Sequence, residues 1–531
     1  MDAAAPTGRP IDPWAIDGKF PAADEHAQLL VIGAGPAGLA AAIEAAGLGL
    51  GVVLIDENPV SAALMGLDVP LFYGQRVTPA VQESARMVER LVAATPGFEA
   101  AFDAGVDVRL GVTAWGVFAN GPALNALPSR VAGLSDGEKS WMCGFDALIL
   151  ATGARDLVLG FEGVEQPGVM GARALHSLLT RYDAFDGKRL VILGSGDLAV
   201  TTALTALDRD LQVAALIEVL PEPQAAPEHL ATLAARGVPV RCGTAILRAE
   251  GDATGVVAAT VIRIGTESPD RLACDTICLA IGAVPAIELA GALGCGVAFR
   301  GHLGGHVPLL SVHGATSVAG VFAAGDGAGL AGEAACEAQG RNAARQAATY
   351  LLQPVPPPTA SLPGPSIDTT EYRLAWMRAL LETGGMQAPV CLCEEVTRAE
   401  LLGIRPPRYL GCTSNKIAAR DSKTLQQDGP LNPDQIKRLT RAGMGTCQGR
   451  RCREQIAMLL ALASETSPAA IPLASYRAPV RPLPLRLLAD HMEGGWDVWF
   501  GIGTQWIPYD LIGTPQEAEM LAAGGGGFTH T

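Results

Sequence analysis

Residues 29–39 read LLVIGAGPAGL, and residues 51–57 read GVVLIDE. The first stretch is an apolar run that stops at a glycine turn. The second is another apolar run that stops at two acids. Short apolar runs of this kind, separated by a small-residue segment with helical spacing, read as two parallel buried strands joined by a helix. The glycines stand at Gly33, Gly35 and Gly38. The first permits a tight turn, the second lets the backbone approach a pyrophosphate, and the third lets helix and strand pack closely. Pro36 and Ala37 complete the turn at the helix N-terminus, where phosphate charge is favoured. Asp56 falls 23 residues after Gly33, where a carboxylate accepts hydrogen bonds from ribose hydroxyls, and Glu57 is the alternative.

A second unit follows at residues 189–200, RLVILGSGDLAV, with Gly194, Gly196 and Ala199 at the three places. Glu218 ends its next strand, VAALIEV. Asp197 stands in the turn and opposes a pyrophosphate there. No basic residue follows Glu218 closely, so NAD(H) or an adenine nucleotide such as ATP suits this unit better than NADP(H). The alternative is a domain kept for packing. Two more strands read FDALILATGARD (145–156) and GVFAAGDGAG (320–329). The later one looks like the closing piece of the first fold, so the second fold is expected as an insertion. The expectation is an α/β chain with two Rossmann-like dinucleotide-binding domains, the first at 26–157 and 281–350, the second at 158–280.

The 531 residues suffice for three or four domains at about 150 each. With 49 % hydrophobic and 18 % charged residues the chain has ample apolar surface to bury. The formal charge of −15 argues against a nucleic-acid partner, which needs Lys and Arg for phosphates. The longest apolar runs contain glycines or charges, so no membrane span is expected. The N-terminal stretch has no basic region followed by an apolar core, so no signal peptide is expected and the cytoplasm is the expected compartment. Eleven cysteines in such a chain point to metal or redox chemistry rather than a disulfide scaffold.

Residues 351–368 hold six prolines and begin a spacer assigned to 351–384. Residues 385–465 carry two cysteine pairs, Cys391 and Cys393 in VCLCEEVT, and Cys447 and Cys452 in GMGTCQGRRC. Residues 466–531 form an extension with Trp496, Trp499 and Trp506. That Trp-rich segment suits a partner-docking patch or folding back on its own domain. Two close cysteine pairs on turns supply four thiolates to one centre, and spacing alone leaves zinc and iron–sulfur open. Lys437, Arg438, Arg441, Arg450, Arg451 and Arg453 surround them and favour thiolates. The other close pair, Cys274 and Cys278, lies in a run that reads as one strand, RLACDTICLAIG. Four strand residues span about 13 Å, too far for a disulfide, so both read as small buried hydrophobes. Cys143, Cys242, Cys295, Cys336 and Cys412 have no local partner.

Thr152-Gly153 and Gly325-Asp326 resemble the ATG and GD elements of the glutathione-reductase-like flavoproteins, which implies FAD in the first fold. Asp326 is then at the ribityl-phosphate region, with Ala114 a further contact. Where many of that class carry Gly-Gly-Gln, this chain reads ENPVSAALMGLDVP, and Gly74-Gln75 stand further on. CLCEEVT followed by IKRLTRAGMGTCQGRRC resembles the [2Fe–2S] module related to bacterioferritin-associated ferredoxin. That module is found in α-type subunits of opine oxidase, hydrogen cyanide synthase, and proline or hydroxyproline dehydrogenase. The resemblance covers about residues 25–465 and includes FEGVEQPGVMGARAL at 161–175. The segment between the cysteine pairs looks longer than in most of those relatives.

The resemblance implies a small C-terminal [2Fe–2S]-binding domain at 385–465 with Cys391, Cys393, Cys447 and Cys452 as ligands. It implies an electron-transfer subunit of a hetero-oligomeric amine or amino-acid dehydrogenase, for an opine, proline, hydroxyproline or sarcosine-like donor. Substrate oxidation then belongs to a separate D-amino-acid-oxidase-like flavoprotein subunit, and a small ferredoxin-like subunit is a further partner. FMN at a subunit interface is compatible with it, as is a complex peripheral to the inner membrane. No residue of this chain is assigned a catalytic role, and its eight histidines show no HxH or HExxH spacing. A self-sufficient NAD(P)H-dependent reductase and a zinc- and nucleotide-binding scaffold are the competing readings.

Overall fold

In the computed structural model, which describes residues 22–60, 76–120, 127, 129–351, 367–406 and 420–489, the strand Glu25–Ile32 is the centre of the first sheet. It runs parallel to Val52–Asp56 on one side and to Ser140–Leu150 on the other. Asp107–Leu110 pairs with Val52–Asp56, and Val321–Ala323 pairs with Ser140–Leu150, both in parallel. An antiparallel extension, Val131–Ser135 and Thr113–Phe118, continues from Ser140–Leu150. Leu29, Leu30 and Val31 are fully buried, as a parallel strand covered on both faces requires. The helix Pro36–Gly47 packs on the helix Glu333–Tyr350 through small residues. A Cβ on Gly340 would come within 2.0 Å of the Ala37 carbonyl oxygen, so the two backbones meet there.

Between Leu150 and Val321 the chain builds a second, all-parallel sheet. Its order is Val240–Arg241, Gln212–Ile217, Arg189–Leu193, Thr276–Leu279, Val169–Gly171. An antiparallel meander of Thr244–Asp252, Gly255–Arg263 and Pro269–Ala273 accompanies it. The two crossings between the sheets, Ala154–Asp156 and Ala283–Pro285, pair with each other. The run expected as one strand around Cys274 and Cys278 is broken instead. Asp275 turns the chain there, its carboxylate accepting from the Lys188 N–H at 2.7 Å. Cys274 and Cys278 are both buried and free.

Residues 351–384 are not a spacer throughout. The helix Thr370–Gly384 occupies their second half and buries Trp376 completely. Its Arg373 is buried and donates to the carbonyls of Ala283 and Gly304, both at 2.7 Å, which pins the helix to a crossing between the sheets. Prolines dominate the first half of this stretch, and the apolar face of Leu374, Met377 and Leu380 dominates the second.

A short hairpin, Pro389–Cys391 with Val396–Thr397, leads into the helix Arg398–Leu402, which opens on a Thr397–Glu400 capping box. The helix Arg453–Ala463 puts Ile456, Leu459 and Leu460 into one core with Val191, Leu193 and Ile277 of the second sheet. Beyond it the chain returns to the first sheet. The Val480 N–H donates to the Trp115 carbonyl at 2.7 Å, and Arg486 pairs with Glu138 at 2.7 Å. Gly74, Gln75, Cys412 and the three C-terminal tryptophans lie outside the described residues. Among the described residues no helix is long and apolar enough to cross a membrane.

Candidate functional site

A cavity of about 690 Å³ opens at the carboxyl ends of the first sheet's parallel strands. Gly33, Gly35, Pro36 and Ala37 form its floor, with Asp56, Glu57 and Ala114 on one wall and Thr152, Gly325 and Asp326 on another. Gly33 has φ +107°, and a Cβ on it would come within 2.2 Å of the Ala151 carbonyl oxygen. A Cβ on Gly38 would meet the Gly33 carbonyl oxygen at 1.7 Å. These two glycines are therefore demanded by backbone packing. Gly35 has nothing within 4 Å of its would-be Cβ, and the helix it opens has no side-chain cap. Open backbone N–H groups at a helix N-terminus make an anion cradle.

The Asp56 carboxylate bridges this turn and the strand end. Its Oδ2 accepts from the Ala34 N–H at 2.6 Å, and its Oδ1 from the Asn58 N–H at 2.8 Å. Glu57 forms an ion pair with Arg481, supplied by the returning C-terminal segment. Burial pushes Glu57 above the usual carboxylate range, and the Arg481 charge opposes that rise. At the other wall, Thr152 Oγ1 donates to the Ala286 carbonyl at 2.6 Å, and the Gly153 carbonyl accepts from the Ala286 N–H at 2.9 Å. Asp326 Oδ1 accepts from the Ala331 N–H at 3.0 Å, and Asp326 Oδ2 pairs with Arg173 at 3.3 Å. Cys336 also lines the cavity, its Sγ 3.7 Å from Asp326 Oδ1. Burial first, then the Asp326 charge, pushes its thiol up to about 12.

The four cysteines of the C-terminal module come together as two sulfur pairs, Cys391 with Cys452 and Cys393 with Cys447. The contact within each pair comes first: against burial it lowers Cys391 and pulls Cys393 down to about 6, and together with burial it raises Cys447 and Cys452. The Gly443 N–H approaches Cys391 Sγ at 3.4 Å, and the Thr446 hydroxyl approaches Cys393 Sγ at 3.6 Å. A Cβ on Gly445 would come within 2.3 Å of Cys393 Cβ. Among the described residues no three of His, Cys, Asp or Glu gather around one point as a single metal ion requires. Arg450 and Arg451, between the second pair of cysteines in sequence, line the cavity.

The predicted residues of the second fold are elsewhere. Gly194 has the tight-turn φ of +114°, but neither Gly194, Gly196 nor Glu218 lines the cavity. Glu218 is 0 % exposed. Its Oε2 accepts from Ser195 Oγ at 2.5 Å and from the Tyr372 hydroxyl at 2.9 Å, and its Oε1 from the Leu220 N–H at 3.0 Å. Asp197 accepts from the Ala226 N–H at 3.1 Å and meets His229 at 2.8 Å.

A family model described as pyridine nucleotide-disulphide oxidoreductase matches residues 27–349, the two sheets and their shared cavity. The chain belongs to that family. A second model, described as the sarcosine oxidase A3 domain, matches residues 408–491. An opine oxidase subunit from Agrobacterium tumefaciens (strain Ach5) is 29 % identical over 480 residues, 87 % of this chain and 91 % of that one. Hydrogen cyanide synthase subunit HcnB of Pseudomonas aeruginosa is 27 % identical, covering 80 % of this chain and 90 % of that one. Among solved structures, L-proline dehydrogenase from P. horikoshii shares the fold with a TM-score of 0.56 at 20 % identity, over 87 % of this chain and 79 % of that one.

The chain is thus an oxidoreductase of the FAD/NAD-binding α/β type, and its cavity fits FAD. The unfilled cradle at Gly35, the uncapped helix behind it and the carboxylate of Asp56 are the features such a ligand needs.

Several site residues carry no sequence signal of their own. Arg155 is one: it pairs with Glu288 at 2.8 Å and with Glu454 at 2.7 Å, and donates to the Arg450 carbonyl. It stands in the quoted ILATGARD stretch, but its partners are 133 and 299 positions away. Arg481, Tyr372 and Cys336 are the others.

Proposed function

We propose that this chain is the electron-transfer subunit of a hetero-oligomeric, FAD-dependent amine or amino-acid dehydrogenase or oxidase, with an opine, proline, hydroxyproline or sarcosine-like donor. The observation that carries the reading is the wall that Arg450 and Arg451 form between the cysteine pairs and the FAD cavity. The names of the relatives support a multi-subunit oxidase. When bound, FAD supplies a centre that takes two electrons together and gives them up singly, and a [2Fe–2S] cluster one that takes them one at a time.

The residues divide the work. Gly33, Gly35 and the helix N-terminus behind Pro36 hold the pyrophosphate, and Asp56 orients the ribose. Asp326, steadied by Arg173, holds the ribityl-phosphate end. Cys391, Cys393, Cys447 and Cys452 hold the iron. Arg155 ties the crossing between the sheets to the cysteine module through Glu454. The donor's H–C–N–H unit would lose two electrons and two protons to the flavin of a D-amino-acid-oxidase-like partner subunit and become an imine, which water hydrolyses. FMN at the interface between the subunits and a small ferredoxin-like subunit fit the same scheme.

The competing NAD(P)H-dependent reductase is disfavoured by the burial of Glu218 and its three donors, which take up the acid that ends the second fold's strand. A disulfide reductase needs a cysteine pair at the flavin, and among the described residues Cys336 alone lines the cavity.

The test is the visible spectrum of the purified chain with iron, zinc and acid-labile sulfide analysis, followed by anaerobic reduction. Flavin and iron–sulfur absorption are expected. NADH should bleach the flavin weakly, and an amine donor should bleach it only when the partner subunit is present. Zinc without iron, or full bleaching by NADH alone, removes the reading.

A further inference from the structure

Arg451 is 9 % exposed, and its Nη1 has no hydrogen-bond partner among the described residues. Burying a guanidinium without an ion pair is costly, so the fold must bring opposite charge near it by another route. On one side that charge belongs to sulfur. Arg451 directly precedes Cys452 in the chain, and its positive charge acts on Cys393, Cys447 and Cys452. On the other side Arg451 forms part of the cavity wall and lies within electrostatic reach of Asp156.

Asp156 is itself built into the wall. It accepts from the Arg173 N–H at 2.9 Å and from the Ala174 N–H at 3.3 Å. It lies so close to Gly171 that a Cβ there would come within 2.0 Å of its Oδ2. The Arg173 side chain continues to Asp326. Charges of alternating sign therefore run from the cysteines through Arg451, Asp156 and Arg173 to the aspartate at the flavin end of the cavity.

We propose that Arg451 is a positioning residue for electron transfer, whose buried charge stabilises an added electron on the cysteine centre and couples that centre to the flavin cavity. The inference rests on the reading of the four cysteines as ligands of an anionic iron–sulfur cluster. Each electron the cluster gains is one the flavin loses, and the added negative charge on the cluster is met by a cation that is already in place. No bond forms or breaks in this step.

The test is an EPR-monitored redox titration of the full-length wild type, Arg451→Gln, Arg451→Lys and Asp156→Asn, with iron and sulfide measured for each. At the ambient potential where the wild-type cluster is half reduced, Arg451→Gln should lower the reduced-to-oxidised ratio about tenfold, equivalent to about 59 mV for one electron. Arg451→Lys should keep most of the wild-type ratio. Asp156→Asn removes the carboxylate that opposes reduction, so the ratio should rise. Arg451→Gln with full iron content and an unshifted titration overturns the proposal. If Arg451→Gln fails to hold iron, Asp156→Asn decides, and an unshifted or lowered ratio there overturns it. A wild type without an S = 1/2 signal is a different result, because it ends the iron–sulfur reading itself.

Discussion

Tyr372 donates its hydroxyl proton to the Glu218 carboxylate at 2.9 Å across 154 positions of chain. The same hydroxyl accepts from the Ser195 N–H at 3.4 Å. One side chain from the helix Thr370–Gly384 thus takes up both the acid and a turn N–H of the second glycine motif. That helix binds where a nucleotide would be read, and the second fold becomes the seat of the C-terminal module.

Two results follow for the second fold. Tyr372→Phe should cost about 1 kcal/mol, the net value of one hydrogen bond, read from urea unfolding. Titration calorimetry of the wild type with NADH or ATP should show no binding to this fold. A micromolar Kd for either nucleotide that Glu218→Gln weakens would show that the motif is open after all.

Gly160 is the contact point between the second sheet's domain and the cysteine hairpin. Its N–H donates to Gln455 Oε1 at 3.0 Å and its carbonyl accepts from Arg398 at 2.5 Å. A Cβ there would come within 1.8 Å of the Pro389 carbonyl oxygen. Gly160→Ala is expected to cost about 2–3 kcal/mol by overpacking. Hydrogen exchange should locate the loss at 389–463 and leave the Glu25–Ile32 strand protected. Unchanged protection over 389–463 in Gly160→Ala would refute the contact.

Removing one ligand tests the pairing of the sulfurs. Cys452→Ser leaves Cys391 without its partner while the Gly33 turn and Asp56 are untouched. Iron per chain should fall to half or less, the EPR signal should vanish, and FAD content should hold. Unchanged iron would exclude Cys452 as a ligand.

His306 supplies a pH dependence away from the cysteines. Burial first, against a hydrogen bond to the Ile471 carbonyl, pushes its imidazolium down to about 4, and the Phe299 ring lies edge-on at 5.2 Å. The folded chain therefore binds fewer protons at this residue than the unfolded chain does. Its contribution is full above pH about 6.5 and is lost as pH falls to about 4, up to about 3 kcal/mol. His306→Gln should flatten that part of the stability profile. A slope equal to wild type would assign the acid sensitivity elsewhere.

Much of the cavity was legible from residues because glycine constraints are local. Gly33 and Gly325 take positive φ in their turns, Gly38 meets the Gly33 carbonyl within one strand-turn-helix unit, and such demands leave a short pattern. Glu218 obeys the same pattern and is nonetheless closed off. Its fate depends on Ser195 and Tyr372, and Tyr372 belongs to a stretch whose prolines pointed to a spacer. Arg481 could not be anticipated as the partner of Glu57, since 424 positions separate them and no periodicity links them.

From residues alone come the two glycine turns and the insertion of one sheet within the other. These follow from backbone sterics and apolar runs, which act over a few neighbouring positions. Tertiary packing alone decided that the sulfurs meet in pairs, that Arg451 is buried against them and the cavity at once, and that a helix closes the second motif. Such outcomes depend on which distant charges are desolvated together, and burial is a property of the assembled chain.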